Sequence, residues 1–351
     1  MIMMNFGQLL CTSVLLFSML HLTSSFASTV DDLVRQWAPL VWLSPGEKFM
    51  PYDVDSFLNN VYVADENGKR IFPKLDRNVS QYRTKGWHLN TYRPIGELLN
   101  DTNSYLYGSN PTENSVPIYA LVSECNSSGR TENDVQDNAE NVYFHVAYWI
   151  FYPYNLGKEV CVIGNIPTVK LFNTCIGSTK TLGNHIGDWE HMSSSFFKKN
   201  STVPNSLYVA VHDAGAYYTY NEENRTFQFQ EVKKQNQLVQ TPKFPKIVRT
   251  QGDHPVLFSA NGSHGLWSTA GENEYNKLPK LTDRTGYGTP WKTWNNIQIY
   301  HLGKEPLPYW MNFRGTWGNP KKNCLLIKKL GLCEYFDGPE GIIRQNQDYY
   351  C

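Results

Sequence analysis

The sequence lacks an excess of charge of either sign, because 32 lysines and arginines are balanced by 32 aspartates and glutamates. None of these residues lies in the first 27 positions, so the rest of the chain is neutral as well. Neutrality argues against bulk electrostatic attraction to nucleic acid or anionic lipid, although a local charged patch would survive the averaging. We therefore expect no nucleic-acid partner.

Hydrophobic runs of membrane-spanning length are also missing after residue 27. Before it, the run from Leu9 to Leu20 is too short to span a bilayer comfortably, and Ser25-Phe26-Ala27 places small residues at a cleavage site. We expect residues 1–27 to be a signal peptide, with an uncleaved anchor as the alternative because no Lys or Arg precedes the run. The expected product is secreted, extracellular and without a transmembrane segment.

Cysteine is scarce and never spaced as CxxC, which disfavours a cysteine zinc site. Removal of Cys11 with the signal leaves six, enough for three disulfides of the kind found in the secretory pathway. They are Cys125, Cys161, Cys175, Cys324, Cys333 and Cys351. Proximity along the chain favours a Cys161–Cys175 pair and a disulfide-held tail.

The sequence also contains six N-x-S/T sequons, so we expect a glycoprotein. The sequons begin at Asn78, Asn100, Asn126, Asn200, Asn224 and Asn261.

Long helical periodicity is absent, and the one convincing helix is Thr29 to Ala38, which Thr29 caps and Pro39 ends. Beyond it, short runs rich in Val, Ile, Tyr and Phe are separated by Gly, Asn and Pro clusters. Seven strands are predicted at Pro117–Ser123, Val142–Tyr152, Asp188–Phe197, Leu207–His212, Thr226–Val232, Pro255–Ser259 and Ile297–Leu302. The pattern predicts a mainly β fold, an antiparallel β-sandwich with long loops over residues 28–302, followed by a cysteine-containing extension over 303–351.

Histidine is rare, with nine in the chain, yet the ten-residue stretch GNHIGDWEHM holds two of them. In a strand, Asp188 and Glu190 would share one face, and His191 would point to the other. A turn at Gly187 would bring His185 toward the two carboxylates. One imidazole and two carboxylates indicate a divalent cation site, with Mg²⁺, Ca²⁺ or Mn²⁺ favoured over structural Zn²⁺. The alternative is that the two carboxylates form a solvated strand face beside ordinary core residues.

Two more histidines follow apolar runs, His212 after LYVAV and His264 within SANGSHG. If these strand ends gather on one side of the sandwich, they and His185 would surround a pocket. A glycan on Asn261 would stand beside His264 and block such a pocket. The candidate pocket residues are His191, His212, Asp213, His264 and Trp267.

Aromatic residues in glycine-rich loops could stack on sugars or sit at a membrane interface. The alternative is that these rings simply pack the loops, since Trp is mostly buried. The residues concerned are Trp267, Trp291, Trp294, Tyr217 and Tyr218.

Five stretches from about residue 36 to about residue 300 resemble, in order, the vacuolar protein sorting-associated protein 62 family. They are APLVWLSPGEKFMPYDVDSFL from Ala38, YWIFYPYN from Tyr148, HIGDWEH from His185, the strand end at His212 and SANGSHG around His264. The family name records a trafficking phenotype and implies no biochemical mechanism.

HIGDWE is also similar to the Gly-His-Arg-His-Asp-Trp-Glu heptapeptide of the necrosis- and ethylene-inducing peptide-like proteins, secreted cytolysins with a β-sandwich fold. In that family the first His, the Asp and the Glu bind a divalent cation beside a surface that recognises sphingolipid head groups. By position these are His185, Asp188 and Glu190. The upstream acidic ligand of that family has no counterpart between Val160 and Gly187, which leaves Asp213 as a candidate. The chain departs from the heptapeptide at Asn184, Ile186 and Gly187.

The sequence thus predicts a secreted, cation-binding β-sandwich protein that recognises a glycan or lipid head group, with cytolysis as a further step. The alternatives are a structural extracellular protein and a metal-dependent hydrolase. The hydrolase would use His185, His212 and His264 as ligands, with Glu190 or Asp188 as the base. A serine triad is disfavoured because NGSHG lacks the G-x-S-x-G elbow.

Overall fold

The computed structural model describes residues 29–80, 86–125, 142–164, 166–168, 170–171, 174–197, 201–234, 242–277, 280–304, 306–324 and 333–343. The expected signal peptide, Cys351 and the sequons at Asn126 and Asn200 lie outside these ranges. The described part is mainly β, as predicted, with few and short helices.

The strands that form or extend the main sheet are β1 Leu40–Leu43, β5 Ile118–Glu124, β6 Phe144–Asn155, β12 His185–Phe196, β13 Ser206–Val211, β14 Ala214–Asn221, β15 Thr226–Lys234, β16 Ile247–Gln251, β17 His254–Ser259, β18 Leu266–Trp267, β21 Thr289–Lys292 and β22 Ile297–His301. The strands of the small sheets are β2 Val61–Ala64, β3 Arg70–Phe72, β4 His88–Thr91, β7 Lys158–Ile163, β8 Ile166–Pro167, β9 Lys170–Leu171, β10 Thr174–Cys175, β11 Ser178–Leu182, β19 Gly271–Lys277, β20 Lys280–Thr285, β23 Lys322–Cys324 and β24 Cys333–Tyr335. The helices are α1 Val30–Gln36, α2 Val54–Leu58, α3 Arg77–Ser80 and α4 Ile95–Asn100, with 3₁₀ turns at Tyr105–Tyr107, Thr293–Asn295 and Tyr309–Asn312.

The predicted N-terminal helix is confirmed as α1. Thr29 accepts a hydrogen bond from the Asp32 backbone N–H, and the Asp32 carboxylate accepts one from the Thr29 N–H, which forms a capping box. The helix ends at Gln36, so Trp37 caps it before Pro39 can interrupt it.

The main sheet runs in the order β21-β1-β17-β16-β15-β14-β13-β12-β6-β5-β22, with β18 added beside β17. All seven predicted strands are present in it, with ends within three residues of the predicted ones. The sheet differs from a purely antiparallel one because β1 pairs with β17, and β5 with β22, in parallel. Each parallel pair joins segments far apart in the sequence, a pairing that local patterns do not encode.

Strands β5, β6 and β12 are buried on both faces, since the curled sheet has a hydrophobic core on each side. The first core lies inside the curl and includes Tyr148 and Met192. The second core lies on the other face, where Trp149 and Trp189 pack against residues of α2 and of the C-terminal segment. Burial on both faces explains why β6 reads as one continuous hydrophobic run.

Disulfides join neighbouring segments in two places. The predicted Cys161–Cys175 pair is confirmed, and Cys324–Cys333 links β23 to β24 in the C-terminal extension. Cys125 is disulfide-bonded as well. The extension also contributes Trp310 and Trp317 to the second core, so it packs directly on the main sheet. No helix in the described ranges is both long and apolar enough to cross a membrane.

The aromatic residues expected in loops are mostly packed instead. Tyr217 and Tyr218 lie within strand β14, which corrects the loop assignment. Trp267 and Trp291 are buried in the first core, and Trp294 stacks on His254 at 3.5 Å between ring centroids. Trp267, Trp291 and Tyr218 therefore serve packing, so they offer no stacking platform for a sugar.

Candidate functional site

Strand β12 begins at His185 and is bent two residues later, where Gly187 adopts a positive φ of 67°. Glycine adopts this backbone region at no steric cost, because it has no Cβ. The space is closed too, because a Cβ on Gly187 would lie 2.8 Å from the Trp317 carbonyl oxygen of the C-terminal segment. In this bend the His185 Nδ1–H donates a hydrogen bond of 2.8 Å to the Gly187 carbonyl.

Beyond the bend, the side chains of β12 alternate between the two cores. Trp189 belongs to the second core and Met192 to the first, so Asp188 and Glu190 face the first core with Met192. His191 faces the other way and stacks on Trp149 with 4.2 Å between ring centroids. The structure therefore keeps His191 apart from the two carboxylates, although the sequence placed it among the candidate pocket residues.

Asp188 is held by a histidine from a distant loop. Its Oδ2 lies 2.9 Å from Nδ1 of His264, whose Nε2–H donates to the Phe49 carbonyl at 3.1 Å. The fully buried His264 ring stacks on Tyr152, with 3.7 Å between centroids. Burial alone would raise the pKa of Asp188, but the hydrogen bond from His264 and the nearby histidines lower it below its ordinary value. Asp188 is therefore a charged carboxylate.

His185 approaches the same carboxylate from the solvent side. Its Nε2 is 4.0 Å from Asp188 Oδ1. Burial lowers the pKa of His185, and the attraction of Asp188 only partly offsets this effect. The ring is therefore neutral at neutral pH, with Nδ1 protonated toward Gly187 and the Nε2 lone pair directed away from it.

A second carboxylate, Asp283 on β20, is the centre of a hydrogen-bonded group that we call the Asp283 cluster. It is formed by Asp283, Lys158, His212, Ser263 and Trp267. Lys158 Nζ at 2.9 Å and Ser263 Oγ at 2.7 Å donate to one oxygen; His212 Nε2 at 2.8 Å and Trp267 Nε1 at 2.9 Å lie against the other. Burial would raise the pKa of Asp283, but His212 and Lys158 hold it well below its ordinary value.

Glu190 is also buried, with 7% of its surface exposed, yet within the described ranges no donor hydrogen-bonds to its carboxylate. Burial, together with the negative charges of Asp188 and Asp283, raises the pKa of Glu190 well above its usual range. An unpartnered acid beside two other acids is costly in a folded protein.

The structure thus brings His185 and His264 to Asp188, and His212 and Trp267 to Asp283. Asp213 is exposed in the turn after His212. The sequence analysis missed Asp283 and Lys158, because each looks like an ordinary residue of a short polar strand and nothing marks their convergence. The sequon at Asn261 adjoins this region, and its Ser263 hydroxyl is buried against Asp283.

Over the part of the chain that the structure describes, no three His, Cys, Asp or Glu side chains form an arrangement that could hold a metal ion as they stand. The His185–Asp188 pair and Glu190 are therefore not a ready-made three-ligand centre. The donor set itself, one neutral imidazole and two carboxylates, matches the preference of a hard divalent cation.

The sequence model of the family described as Vacuolar protein sorting-associated protein 62 matches residues 17–239. The chain belongs to the Vps62 family. Two relatives come from Saccharomyces cerevisiae. Their names are "Putative vacuolar protein sorting-associated protein TDA6" and "Vacuolar protein sorting-associated protein 62". They are 25% and 24% identical to this chain, over 91% of its length in both cases. The chain spans about two thirds of each relative, 67% and 66% respectively.

Among solved structures, the chain is similar to Necrosis and Ethylene inducing Protein 2 from the causal agent of cocoa's Witches Broom disease. The identity is 12%, the alignment covers 70% of each chain and the TM-score is 0.30. At that TM-score the likeness carries no functional conclusion.

Proposed function

We propose that this Vps62-family protein is a secreted protein that binds a divalent cation and uses it to recognise glycan or lipid head groups. His185, Asp188 and Glu190 hold the cation, and Mg²⁺ or Ca²⁺ suits them better than Zn²⁺. When bound, the cation supplies a positive centre for the hydroxyl or phosphate oxygens of a head group.

The observation that carries the proposal is the Glu190 carboxylate. It is buried beside two other acids, and no donor in the described ranges offsets its charge. A divalent cation would supply the missing positive charge and remove the reason for its raised pKa.

The protonation states of His185 and Asp188 support a cation site at the same place. Histidine ligands of metals usually donate their second N–H to a carbonyl or carboxylate, as His185 does to Gly187. Asp188 is ionised, and its Oδ1 faces the free Nε2 of His185 at 4.0 Å. Two ligand atoms at this separation can share a cation, since each would lie about 2–2.6 Å from it.

Access to the site favours a ligand at its rim. The side chains of His185, His212 and Lys158 remain 17%, 18% and 22% exposed, whereas that of Asp283 is fully buried. An anionic or hydroxylated head group can therefore approach from the side of these three residues.

A hydrolytic centre with three histidine ligands has less support. His264 lies between Asp188 and the Phe49 carbonyl, and His212 Nε2 is engaged by Asp283. Both imidazoles would have to give up these partners before they could bind a metal.

The proposal includes secretion of the protein. The disulfides Cys161–Cys175 and Cys324–Cys333 are typical of proteins that pass through the secretory pathway. Together with the signal-like residues 1–27, they support an extracellular product, and peptide sequencing of the exported protein would locate its first residue.

The cation is tested by calorimetric titration of the metal-stripped protein with Mg²⁺, Ca²⁺, Mn²⁺ and Zn²⁺. We expect one site, weakened at least about tenfold by Glu190→Gln or Asp188→Asn. Glu159→Gln, which changes an exposed acid on β7, is the matched control and should leave uptake unchanged. Asp213→Asn shows whether that residue adds a ligand. Absence of uptake by the unaltered protein would refute the site.

Head-group recognition is tested with glycan arrays and with vesicles of defined head groups, each in the presence of the cation and of a chelator. Retention that the chelator abolishes supports the proposal, whereas equal retention with and without the cation contradicts it. Dye leakage from the vesicles, measured alongside release of a cleaved head group, separates cytolysis from hydrolysis.

A further inference from the structure

The small sheet β8-β7-β11 exposes three isoleucines to solvent. Ile163, Ile166 and Ile176 are 53%, 54% and 53% exposed. Among the other large hydrophobic residues in the described ranges, only Tyr287 is more than half exposed. Exposed apolar groups gathered in one place indicate an interaction site.

The three isoleucines lie at one end of this small sheet, which we call the isoleucine tip. Ile163 and Ile166 are directly paired across β7 and β8, so they point to the same face. Ile176 lies at the same end, because Ser178, two residues later, pairs with Val162 next to Ile163. The Cys161–Cys175 disulfide ties the two segments that carry the tip.

The segment that carries the tip has a net positive charge. Residues 158–187 contain Lys158, Lys170 and Lys180 and a single acid, Glu159. In a protein with no net charge, this segment is therefore basic. A basic segment with exposed aliphatic side chains fits a surface that is apolar below and negatively charged above, which describes an anionic lipid bilayer.

We propose that the isoleucine tip inserts into the interfacial region of an anionic membrane and anchors the protein there. The proposal goes beyond the proposed function, because this anchoring requires no cation. Strand β7 links the tip to the Asp283 cluster, since Lys158 of that cluster lies five residues before Ile163, a span of about 17 Å along the strand.

A second copy of the chain is a poorer occupant of this surface. The exposed parts of three isoleucines amount to roughly 300 Å², well short of the roughly 800 Å² per partner of a stable interface. Two copies docked through their tips would also place segments of like charge together.

The experiment measures sedimentation of the full chain with vesicles of phosphatidylcholine alone and of phosphatidylcholine mixed with phosphatidylserine, all in chelator. We expect binding to the mixed vesicles that weakens with salt. The triple variant Ile163→Ser, Ile166→Ser, Ile176→Ser should bind about 100-fold more weakly, since half of each side chain leaves water on insertion. Ile166→Ser alone should bind about fivefold more weakly.

The matched control is Ile71→Ser with Ile247→Ser, two exposed isoleucines on β3 and β16, which should bind as the unaltered protein does. Cation titration of the triple variant, without vesicles, shows whether its candidate site is intact and separates failure of the tip from failure of the cation site. Equal vesicle binding by Ile166→Ser and the unaltered protein would overturn the proposal. So would no binding to either vesicle, or self-association that the triple variant abolishes.

Discussion

Asp283 and Glu190 are two buried carboxylates close enough to repel one another, yet their surroundings are opposite. Asp283 has four hydrogen-bond partners, two of them from Lys158 and His212. Glu190 has none within the described ranges and faces two other acids. As a result the pKa of Asp283 is lowered and that of Glu190 is raised.

The comparison separates a carboxylate that the fold surrounds with donors from one that has no donor in the described part of the chain, although burying an unpaired acid costs stability. Such uncompensated groups concentrate at functional sites. The predictions below test whether the two acids differ in this way.

The largest effect is expected for Asp283→Asn. The substitution leaves Lys158 and His212 without their acceptor charge, so we expect a loss of about 3–5 kcal/mol in the free energy of unfolding. Urea denaturation measures it. Glu272→Gln, which removes only the exposed partner of Arg284, should change stability by less than about 0.5 kcal/mol. A loss of similar size in both variants would mean that the Asp283 cluster is not specially stabilising.

A smaller loss of folding stability is expected at low pH. Since the pKa of Asp283 is lower in the folded protein than its ordinary 3.8, its stabilising contribution is complete above that value and disappears as the pH falls below it. We expect roughly 2–3 kcal/mol of stability to be lost in this way. Denaturation between pH 2 and about 5 measures the slope, and Asp283→Asn should flatten it. An equal slope in the variant would contradict the assignment.

The smallest effect, and one of opposite sign, is expected for Glu190→Gln. Because the folded state raises the pKa of Glu190, ionisation above pH 4.5 opposes folding, and a neutral amide should stabilise the cation-free protein by about 1 kcal/mol or more. Thermal denaturation in chelator measures this gain. Adding the cation should reverse the order, because only the unaltered protein is stabilised by binding. If Glu190→Gln instead destabilised the protein in chelator, the folded state would have to stabilise the Glu190 charge.

Much of the fold could be predicted because the signals were local. The alternation of Asp188 and Glu190 against Trp189 follows from strand geometry, and the Thr29 cap follows from helix geometry. The parallel pairing of β1 with β17 could not be predicted in this way, since it depends on where two distant segments meet.

In the candidate site, too, local features could be predicted and contacts between distant segments could not. His264 reaches Asp188 across 76 residues, and His212 reaches Asp283 across 71. The sequence marked the two histidines by their positions at strand ends, but it offered no sign of Asp283. It also placed Tyr217 in a glycine-rich loop, because the glycine and alanine of β14 look like loop residues until the sheet covers them.

The bend at Gly187 couples the start of β12 to the C-terminal segment. The Trp317 backbone occupies the volume that any side chain at position 187 would need. A side chain there and a C-terminal segment along this path exclude one another. The C-terminal segment thus packs against the bend that holds His185 beside Asp188, so a change in the tail would be felt at the candidate site.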